Sequence, residues 1–336
     1  MTWKGKHGPL LIAEIGGNHE GDFEYAKVLT ELACDSGVDA VKFQIYTGDT
    51  IVSKVEDPDR NKHFKKFELS KDQYVELANI CKRNNVIFTS SVWNEEALNW
   101  IDEFIPIYKI GSGDLTAHPL LSKIAKLSKP IIISTGLASF DEVKETIDFL
   151  RKENKIYEGS QNLAVLQCTS MYPIEDEDAN LEVISLYKDK LDVVVGYSDH
   201  TTGKEAVEVA YTLGAEILEM HFTDEREGKV FRDHKVSFTN EEIKQLIFKI
   251  KKIQALRGKP EKKPLPIEIE NNHLVSFRRA VYPSKDIKKG TVLSKSNLTI
   301  LRPNKGIDAR EFNSLIGKKI KQDVKKGQSL DWDLIT

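Results

Sequence analysis

The sequence predicts an α/β chain: a (β/α)8 TIM barrel followed by a small β-rich domain. Eight strand-like runs alternate with longer helical segments over the first three quarters of the 336 residues, and a TIM barrel needs eight such units in about 250 residues. The runs are continuously apolar, as is typical of parallel strands covered on both faces. An open doubly wound sheet is the alternative, but no GxGxxG follows the first run, so its usual dinucleotide signature is missing.

The strand-like runs are, in chain order, residues 10–16, 40–45, 86–91, 107–112, 130–136, 163–169, 192–199 and 216–222. The segments between them carry apolar residues at intervals of three and four, which predicts amphipathic helices. The clearest helices are residues 25–37, 71–85, 140–153 and 240–254. Asp72, Asp141 and Asn240 lie near the expected helix starts.

The barrel pattern ends near Ala255, which predicts a barrel domain at 1–256, a Pro- and Lys-rich linker at 257–275 and a second domain at 276–336. Within the second domain, DIKKGTVL (286–293) is repeated imperfectly as DVKKGQSL (323–330). Each copy predicts a strand, a solvated Lys-Lys-Gly turn and an apolar return, so the domain should be pseudo-symmetric. A domain of this size is marginal alone, and we expect it to dock onto another surface.

Charge and composition exclude several classes of protein. The net charge of −3 gives no reason to expect nucleic acid as a partner, and no run approaches the roughly 20 apolar residues of a membrane span. Glu14 interrupts the short apolar N-terminal run, so we do not expect a signal peptide. Cys34, Cys81 and Cys168 show no paired spacing, which predicts a cytoplasmic protein without disulfides.

Polar side chains end every predicted strand, where the βα loops of a TIM barrel hold the active site. They are Glu14, Asn18 and His19; Lys42 and Gln44; Ser90 and Ser91; Lys109, Ser112 and Asp114; Ser134 and Thr135; Gln167, Thr169, Ser170 and Tyr172; Ser198, Asp199 and His200; and His221. Turn chemistry explains one or two such ends but not eight. Because a buried lysine is costly unless paired, Lys42 and Lys109 in particular predict a functional barrel mouth.

The two strand-end lysines, Lys42 and Lys109, predict an anionic substrate. Gly-Ser-Gly (111–113) and Ser-Thr-Gly (134–136) offer hydroxyls and close backbone N–H groups to phosphate or carboxylate oxygens. Either stretch alone is typical of a tight turn, but beside the lysines they favour a phosphorylated or dianionic ligand. A Schiff base between Lys42 or Lys109 and a carbonyl substrate is the open alternative.

His200 and His221 end the seventh and eighth strands, which are neighbours in a barrel. Either histidine alone is more often structural, but the pair can build an open metal site with Glu14 and Asp233 available. Imidazole and carboxylate donors suit Mn²⁺, Mg²⁺ or Zn²⁺, and an open coordination position polarises a carbonyl. Asp199, beside His200, either orients the imidazole or caps the turn.

The same motifs resemble those of the sialic acid synthase family, which makes nine-carbon nonulosonic acids. The matching stretches are IAEIGGNHEGD (12–22), VKFQ (41–44), YKIGSGD (108–114), PIIISTG (130–136), LQCTSMYP (166–173), GYSDHT (196–201), EMHFTDE (219–225) and RPNKGI (302–307). The resemblance implies a TIM barrel followed by an antifreeze-like SAF domain of the β-clip type. It also implies a domain-swapped homodimer, in which the SAF domain reaches over the partner's barrel mouth.

The resemblance implies that phosphoenolpyruvate condenses with an N-acetylmannosamine-like sugar and that phosphate is released. His200 and His221 would bind Mn²⁺ or Mg²⁺, which activates the open-chain aldehyde of the sugar. Phosphoenolpyruvate would contact Lys42, Ser91, Lys109, Ser112, Ser134, Ser170 and Ser198, and the sugar would contact Gln44, Tyr172, Asp233 and Arg302. Glu14 would orient the sugar or the attacking water, and Asp114 would transfer a proton.

Several departures from the family pattern leave the acceptor sugar open. SSVW (90–93) stands in place of STPF, GSGD in place of GSGE, Ser170 in place of Asn, and FRDH (231–234) in place of GPDH. GSGD, LQCTS and residues 63–74 look closer to animal-type enzymes, which take the 6-phosphate sugar, whereas Arg302 looks bacterial. The candidates are therefore N-acetylmannosamine, its 6-phosphate, and a precursor of legionaminic or pseudaminic acid.

The nearby cations Arg232, Lys65 and Lys66 would suit a sugar phosphate, although exposed charges are the simpler interpretation. A non-catalytic sugar- or ice-binding protein is the alternative from another class. The polar barrel mouth argues against it, since a binding module needs neither two strand-end lysines nor a histidine pair.

Overall fold

The computed structural model describes residues 3–336 and divides into two compact units, with the boundary between Gly258 and Lys259. Within these residues, no helix combines the length and the apolar character needed to cross a bilayer. Cys34, Cys81 and Cys168 are all free thiols.

Eight parallel strands of the first unit pair in sequence order, and the last pairs with the first, so the sheet closes into a barrel. A two-residue strand, β1 (Lys4–Gly5), pairs antiparallel with the start of the first barrel strand. The barrel strands are β2 (Gly8–Glu14), β3 (Ala40–Ile45), β4 (Ile87–Val92), β5 (Tyr108–Ile110), β6 (Ile131–Ser134), β7 (Leu163–Gln167), β8 (Val194–Asp199) and β9 (Ile217–His221). The predicted TIM barrel is confirmed, and each strand-like run overlaps one of its strands.

The helices of the first unit are α1 (Phe23–Asp35), α2 (Gly48–Ile51), α3 (Pro58–Lys66), α4 (Lys71–Arg83), α5 (Glu95–Ile101), α6 (His118–Lys126), α7 (Phe140–Glu153), α8 (Glu182–Lys190), α9 (Glu205–Leu213) and α10 (Asn240–Arg257). Reciprocal capping boxes start three of the four helices that the periodicity predicts most clearly. The N-caps are Ser70, Ser139 and Thr239, completed by Gln73, Glu142 and Glu242. Asp72, Asp141 and Asn240 follow these caps within the first turn.

Two apolar layers hold the barrel together. The larger layer fills the space between the strands and the surrounding helices. A smaller layer inside the barrel includes Ile12, Ala40, Ile132 and Ile217 from four different strands, and Ile107 from just before β5. Since these side chains plug the interior, the space available for a ligand lies toward the carboxyl ends of the strands, as expected for this fold.

The second unit has its own apolar core, which includes Val281, Leu293 and Ile320. Its elements are α11 (Pro266–Glu270), α12 (His273–Ser276), β10 (Ala280–Pro283), β11 (Leu298–Leu301) and α13 (Phe312–Leu315), with β10 and β11 antiparallel. The stretch predicted as a linker, 257–275, therefore carries α11 and most of α12.

The two copies of the sequence repeat contact each other symmetrically. Ile287 and Val324 exchange both backbone hydrogen bonds at 2.9 Å. Asp286 accepts from the backbone N–H of Lys326 at 2.9 Å, and Asp323 accepts from that of Lys289 at 2.8 Å. Each aspartate thus closes the Lys-Lys-Gly turn of the other copy.

Candidate active site

The alternation of side chains along the strands places the polar strand ends inside the barrel. On β2, Ile12 belongs to the interior layer, so Glu14, two residues later, points to the same side. By the same count Lys42 follows Ala40, Lys109 follows Ile107, Ser134 follows Ile132 and Glu219 follows Ile217. At each of these five places the chain therefore presents an apolar residue to the interior layer and a polar one to the space above it.

These side chains line a cavity of about 1150 Å³. Its wall contains every barrel residue to which the family resemblance gave a role in binding or catalysis: Glu14, Lys42, Gln44, Ser91, Lys109, Ser112, Asp114, Ser134, Ser170, Tyr172, Ser198, His200, His221 and Asp233. Arg302, the remaining predicted residue, belongs to the second unit, where its guanidinium lies 5.7 Å from the centroid of the Phe277 ring.

The floor of the cavity holds two lysines and two glutamates. Lys42 Nζ lies 2.7 Å from Glu14 Oε2 and 3.8 Å from Glu219 Oε1, and Lys109 Nζ lies 3.4 Å from the same Glu219 oxygen. Lys109 also donates to Ser134 Oγ at 2.6 Å. All four charged side chains are buried, so each lysine has the partner that burial requires.

Opposing effects set the pKa values of these groups. Burial raises the pKa of Glu14 in spite of the ion pair with Lys42. Burial acts in the same direction on Glu219, but the ammoniums of Lys109 and Lys42 outweigh it, and its pKa is lowered. Burial lowers the pKa of Lys109, whereas the two carboxylates outweigh burial at Lys42 and raise its pKa. Glu219 is therefore the ionised carboxylate that both lysines share.

The sequence analysis did not assign Glu219 to the site. The signal was present, because Glu219 interrupts an apolar strand and precedes His221 by two residues, which puts both on one face. Two buried lysines also need carboxylate partners, and the sequence analysis named none for them.

The two predicted metal ligands lie side by side, with ring centroids 5.3 Å apart. His200 Nδ1 is 2.7 Å from the carbonyl oxygen of Thr169; since a carbonyl only accepts, this nitrogen carries the proton and Nε2 has a free lone pair. Burial lowers the pKa of His200, and burial together with His200 lowers that of His221 well below the ordinary value. Both rings are thus neutral, the form that binds metal.

The donor set suits a divalent cation that keeps open positions. His221 Nδ1 is buried without a hydrogen-bond partner, and Asp233 Oδ2 lies 3.9 Å from it. Over residues 3–336, no three side chains of His, Cys, Asp or Glu converge closely enough to hold a metal by themselves. Two imidazoles with a nearby carboxylate match an open site in which substrate and water supply further ligands.

Asp199 caps the turn after β8 and does not orient His200. Its Oδ1 accepts from Tyr197 Oη at 3.0 Å, from the backbone N–H of Thr201 at 3.0 Å and from Thr201 Oγ1 at 2.9 Å. The imidazole of His200 is instead held by Thr169, so the first of the two interpretations of Asp199 was wrong.

Six other polar strand ends are also structural. Asn18 bonds Phe222, Ser90 bonds Phe43, Thr135 bonds Leu166, Gln167 bonds Ala179 and Thr169 bonds Asp178, each to a backbone carbonyl, and His19 accepts from the N–H of Gly21. They hold the βα loops in place, so the polar pattern mixes loop anchors with cavity side chains.

Two carboxyl groups of the cavity have pKa values near neutrality. Burial raises the pKa of Asp114 to about 6, against the lowering influence of Trp93 and Lys109. Burial likewise raises the pKa of Asp233 to about 6, against the guanidinium of Arg232. Each of them can exchange a proton at physiological pH.

The NeuB family profile matches residues 29–262, which is most of the barrel, and the SAF domain profile matches residues 278–336. The chain belongs to the NeuB family. The resemblance to sialic acid synthases stated from the motifs is thereby confirmed.

Named relatives of this NeuB-family chain span nearly its whole length. It is 36% identical to N,N'-diacetyllegionaminic acid synthase of Campylobacter jejuni over 95% of this chain and 98% of that protein. It is 33% identical to N-acetylneuraminate-9-phosphate synthase of Homo sapiens over 98% of this chain and 94% of that protein. The crystal structure of N-acetylneuraminic acid synthetase from Leptospira borgpetersenii, in complex with citrate, matches with a TM-score of 0.72 and 30% identity over 79% of this chain and 90% of that chain.

Proposed function

We propose that this NeuB-family protein condenses phosphoenolpyruvate with an N-acetylmannosamine-type amino sugar to give a nine-carbon nonulosonic acid and phosphate. The observation that carries the proposal is the meeting of two buried lysines and two neutral imidazoles in one cavity. The lysines suit an anionic donor, and the imidazoles suit a cation that activates an aldehyde.

Phosphoenolpyruvate has a phosphate and a carboxylate, and two separate lysines can bind one each. Lys109 lies beside Ser134, and Ser112 Oγ accepts from the N–H of Gly136 at 3.0 Å. A Cβ at Gly136 would clash with Ser170 Oγ, so glycine allows the backbone and these hydroxyls to come this close. Ser112, Ser134 and Ser170, together with Ser91 and Ser198, offer short hydroxyl side chains as hydrogen-bond donors, which suit phosphate oxygens.

His200 and His221 would hold a divalent cation such as Mn²⁺ or Mg²⁺, with Asp233 beside them. A cation bound there supplies Lewis acidity toward the open-chain sugar aldehyde. The rest of the sugar would lie between Gln44, which donates to Glu14 Oε1 at 2.7 Å, and Tyr172, whose ring centroid is 4.0 Å from that of His200. These side chains orient the aldehyde carbon toward C3 of phosphoenolpyruvate.

The reaction steps would use Asp114 to transfer a proton and Glu14 to orient a reactant. The C2–C3 double bond of phosphoenolpyruvate supplies the electron pair for the new bond from C3 to C1 of the sugar, which leaves C2 as an oxocarbenium cation. The π pair of the aldehyde moves onto its oxygen, which takes a proton from solvent and becomes a hydroxyl. Water then adds to C2, with Asp114 as the base that takes its proton, and Glu14 holds the sugar or this water in place. Collapse of the tetrahedral C2 breaks its bond to the bridging oxygen, which leaves with the phosphate.

Product formation tests this proposal. Purified protein is given phosphoenolpyruvate, Mn²⁺ and a panel of amino hexoses, and the products are identified by mass spectrometry. We expect a nine-carbon acid with at least one sugar and none when either substrate is left out. Folded protein that yields no product with any sugar would contradict the proposal, and trapping of Lys42 or Lys109 by borohydride with pyruvate would favour the Schiff-base aldolase instead.

A phosphorylated acceptor is the second candidate, favoured by the cavity rim. Arg60, Lys66 and Arg232 line the cavity near His63, whose pKa is lowered by burial and by these three cations. Lys65 is not part of this group, since it forms an ion pair with Asp49 at 2.8 Å. A preference for the 6-phosphate that is lost in Arg60→Ala would support it, and equal kcat/KM for free and phosphorylated sugars would exclude it.

We also propose a domain-swapped homodimer in which Arg302 contacts the sugar bound to the partner's barrel. In support, the second unit exposes apolar side chains at Ile267, Ile269 and Phe277, as expected for a surface that packs against another. Arg302→Ala should then raise the KM for the sugar at least tenfold and leave the KM for phosphoenolpyruvate unchanged; unchanged kinetics would refute this role. We place the protein in the cytoplasm, which suits its three free thiols.

A further inference from the structure

Glu219 is the carboxylate that both buried lysines at the floor of the cavity approach. Its Oε1 lies 3.4 Å from Lys109 Nζ and 3.8 Å from Lys42 Nζ, and it accepts from Ser198 Oγ at 3.2 Å. Its Oε2 is buried without a partner. A single oxygen thus contacts three of the side chains that the proposed function gives to phosphoenolpyruvate, while the other oxygen has no structural bond of its own.

Burying the charged carboxylate of Glu219 also costs free energy that a purely structural residue would not require. It would be simpler to bury an apolar residue there, as β9 does at Ile217, the preceding residue on the same face. Its charge also opposes an anionic ligand, since it lies beside the two lysines that would attract that ligand. A site selected only for anion affinity would lack this carboxylate, so its use must lie in where it holds the lysines.

We propose that Glu219 is a positioning residue, which fixes the ammoniums of Lys42 and Lys109 at one spacing so that each receives a different anionic group of phosphoenolpyruvate. Lysine side chains are flexible, and two like charges in one cavity move apart unless an anion lies between them. Glu219 provides that anion in the free protein. This assignment rests on the proposed function, because it takes phosphoenolpyruvate as the ligand.

The sharpest test compares kcat with the KM for phosphoenolpyruvate in Glu219→Gln. The amide keeps the shape but removes a negative charge, so ground-state attraction for the anion should stay the same or increase. The lysines should lose their spacing, and a displacement of about 1 Å can reduce the rate of catalysis about 10²-fold. We therefore expect kcat to fall about 100-fold with no rise in the KM for phosphoenolpyruvate.

Glu216→Gln is the matched control. It makes the same chemical change three residues earlier, at an exposed position just before β9 where the backbone of Glu216 bonds Leu10 and Val195. We expect parental kcat, KM and melting temperature for this variant. Any common effect of replacing a glutamate in this region would appear in both variants.

Glu219→Asp separates position from charge and also serves if the Gln variant does not fold. It keeps the charge but withdraws the oxygen by one methylene, so we expect kcat about tenfold below the parent at an unchanged melting temperature. Parental kcat in Glu219→Asp would show that charge alone matters and would overturn the assignment.

Two other outcomes would also overturn it. One is a Gln variant with kcat within threefold of the parent; the other is a Gln variant in which the KM for phosphoenolpyruvate rises in step with a lower melting temperature, as a merely structural residue would behave. The failure of the proposed function looks different, because the parental protein itself would then release no phosphate from phosphoenolpyruvate.

Discussion

Lys109 and Ser134, on neighbouring strands of the barrel, are joined by a hydrogen bond of 2.6 Å in which the ammonium donates to the hydroxyl. The ammonium is buried, and within residues 3–336 its partners are Ser134, the Ile110 carbonyl and Glu219. Its charge is therefore available to a ligand that enters the cavity.

Lys109→Met should raise the KM for phosphoenolpyruvate about 10- to 100-fold, since a hydrogen bond to a charged group contributes about 1.5–3 kcal/mol. The KM for the sugar should change by less than threefold. Initial-rate kinetics with each substrate varied in turn measure both constants. A selective loss of sugar affinity would reverse our assignment of the two halves of the cavity.

Metal binding should depend on His200. We expect EDTA to abolish turnover and Mn²⁺ to restore it, and saturating Mn²⁺ should raise the melting temperature of the parent by a few degrees, since a ligand at 100 times its Kd stabilises by about 2.7 kcal/mol. His200→Ala should melt near the parental temperature without Mn²⁺, show no shift with it, and be inactive. A variant that collapses would instead indicate a structural histidine.

The pH dependence of kcat should report Asp114. Because burial raises its pKa from 3.8 to about 6, and because the carboxylate is the form that takes a proton from water, kcat should fall as the pH drops below about 6. A bound trianion disfavours the carboxylate further, so the midpoint should lie at 6 or above. The phosphate group of unbound phosphoenolpyruvate also has a pKa near 6. Its titration affects kcat/KM but not kcat, so kcat is the quantity to follow.

Asp114→Asn should lose this acid limb and keep a small rate that does not depend on pH. A parental profile in the Asn variant would remove Asp114 from the proton transfers.

The turn cap at Asp199 should matter for stability more than for chemistry. Asp199→Ala leaves the buried groups of Tyr197 and Thr201 without their acceptor, which should lower the free energy of unfolding by about 2–4 kcal/mol. Urea denaturation measures this loss. Parental stability with activity lost would instead point to a role beside His200.

The sequence was sufficient for the barrel and for most of the site because both follow from short-range periodicity. Apolar runs located the eight strands, and the two-residue alternation brought Lys42, Lys109, His200 and His221 to one end of the barrel. These relationships need only the order of the strands and the direction of successive side chains.

The sequence was insufficient where the role of a polar residue depends on its partner. Asn18 and Thr169 looked like site residues because they follow strands, yet they bond backbone carbonyls. Glu219 looked like part of an apolar strand, yet it joins two lysines from distant strands. A strand pattern gives the side of the barrel but not the partner in three dimensions.

The fate of the bridging oxygen of phosphoenolpyruvate tests the central claim most directly. Phosphoenolpyruvate labelled with ¹⁸O at that position is turned over with the acceptor sugar and Mn²⁺, and the phosphate is analysed by mass spectrometry. The proposed reaction breaks the bond between C2 and this oxygen, so the label should appear in phosphate, which should form only when the sugar is present. Unlabelled phosphate, or phosphate released equally well without sugar, would contradict the account.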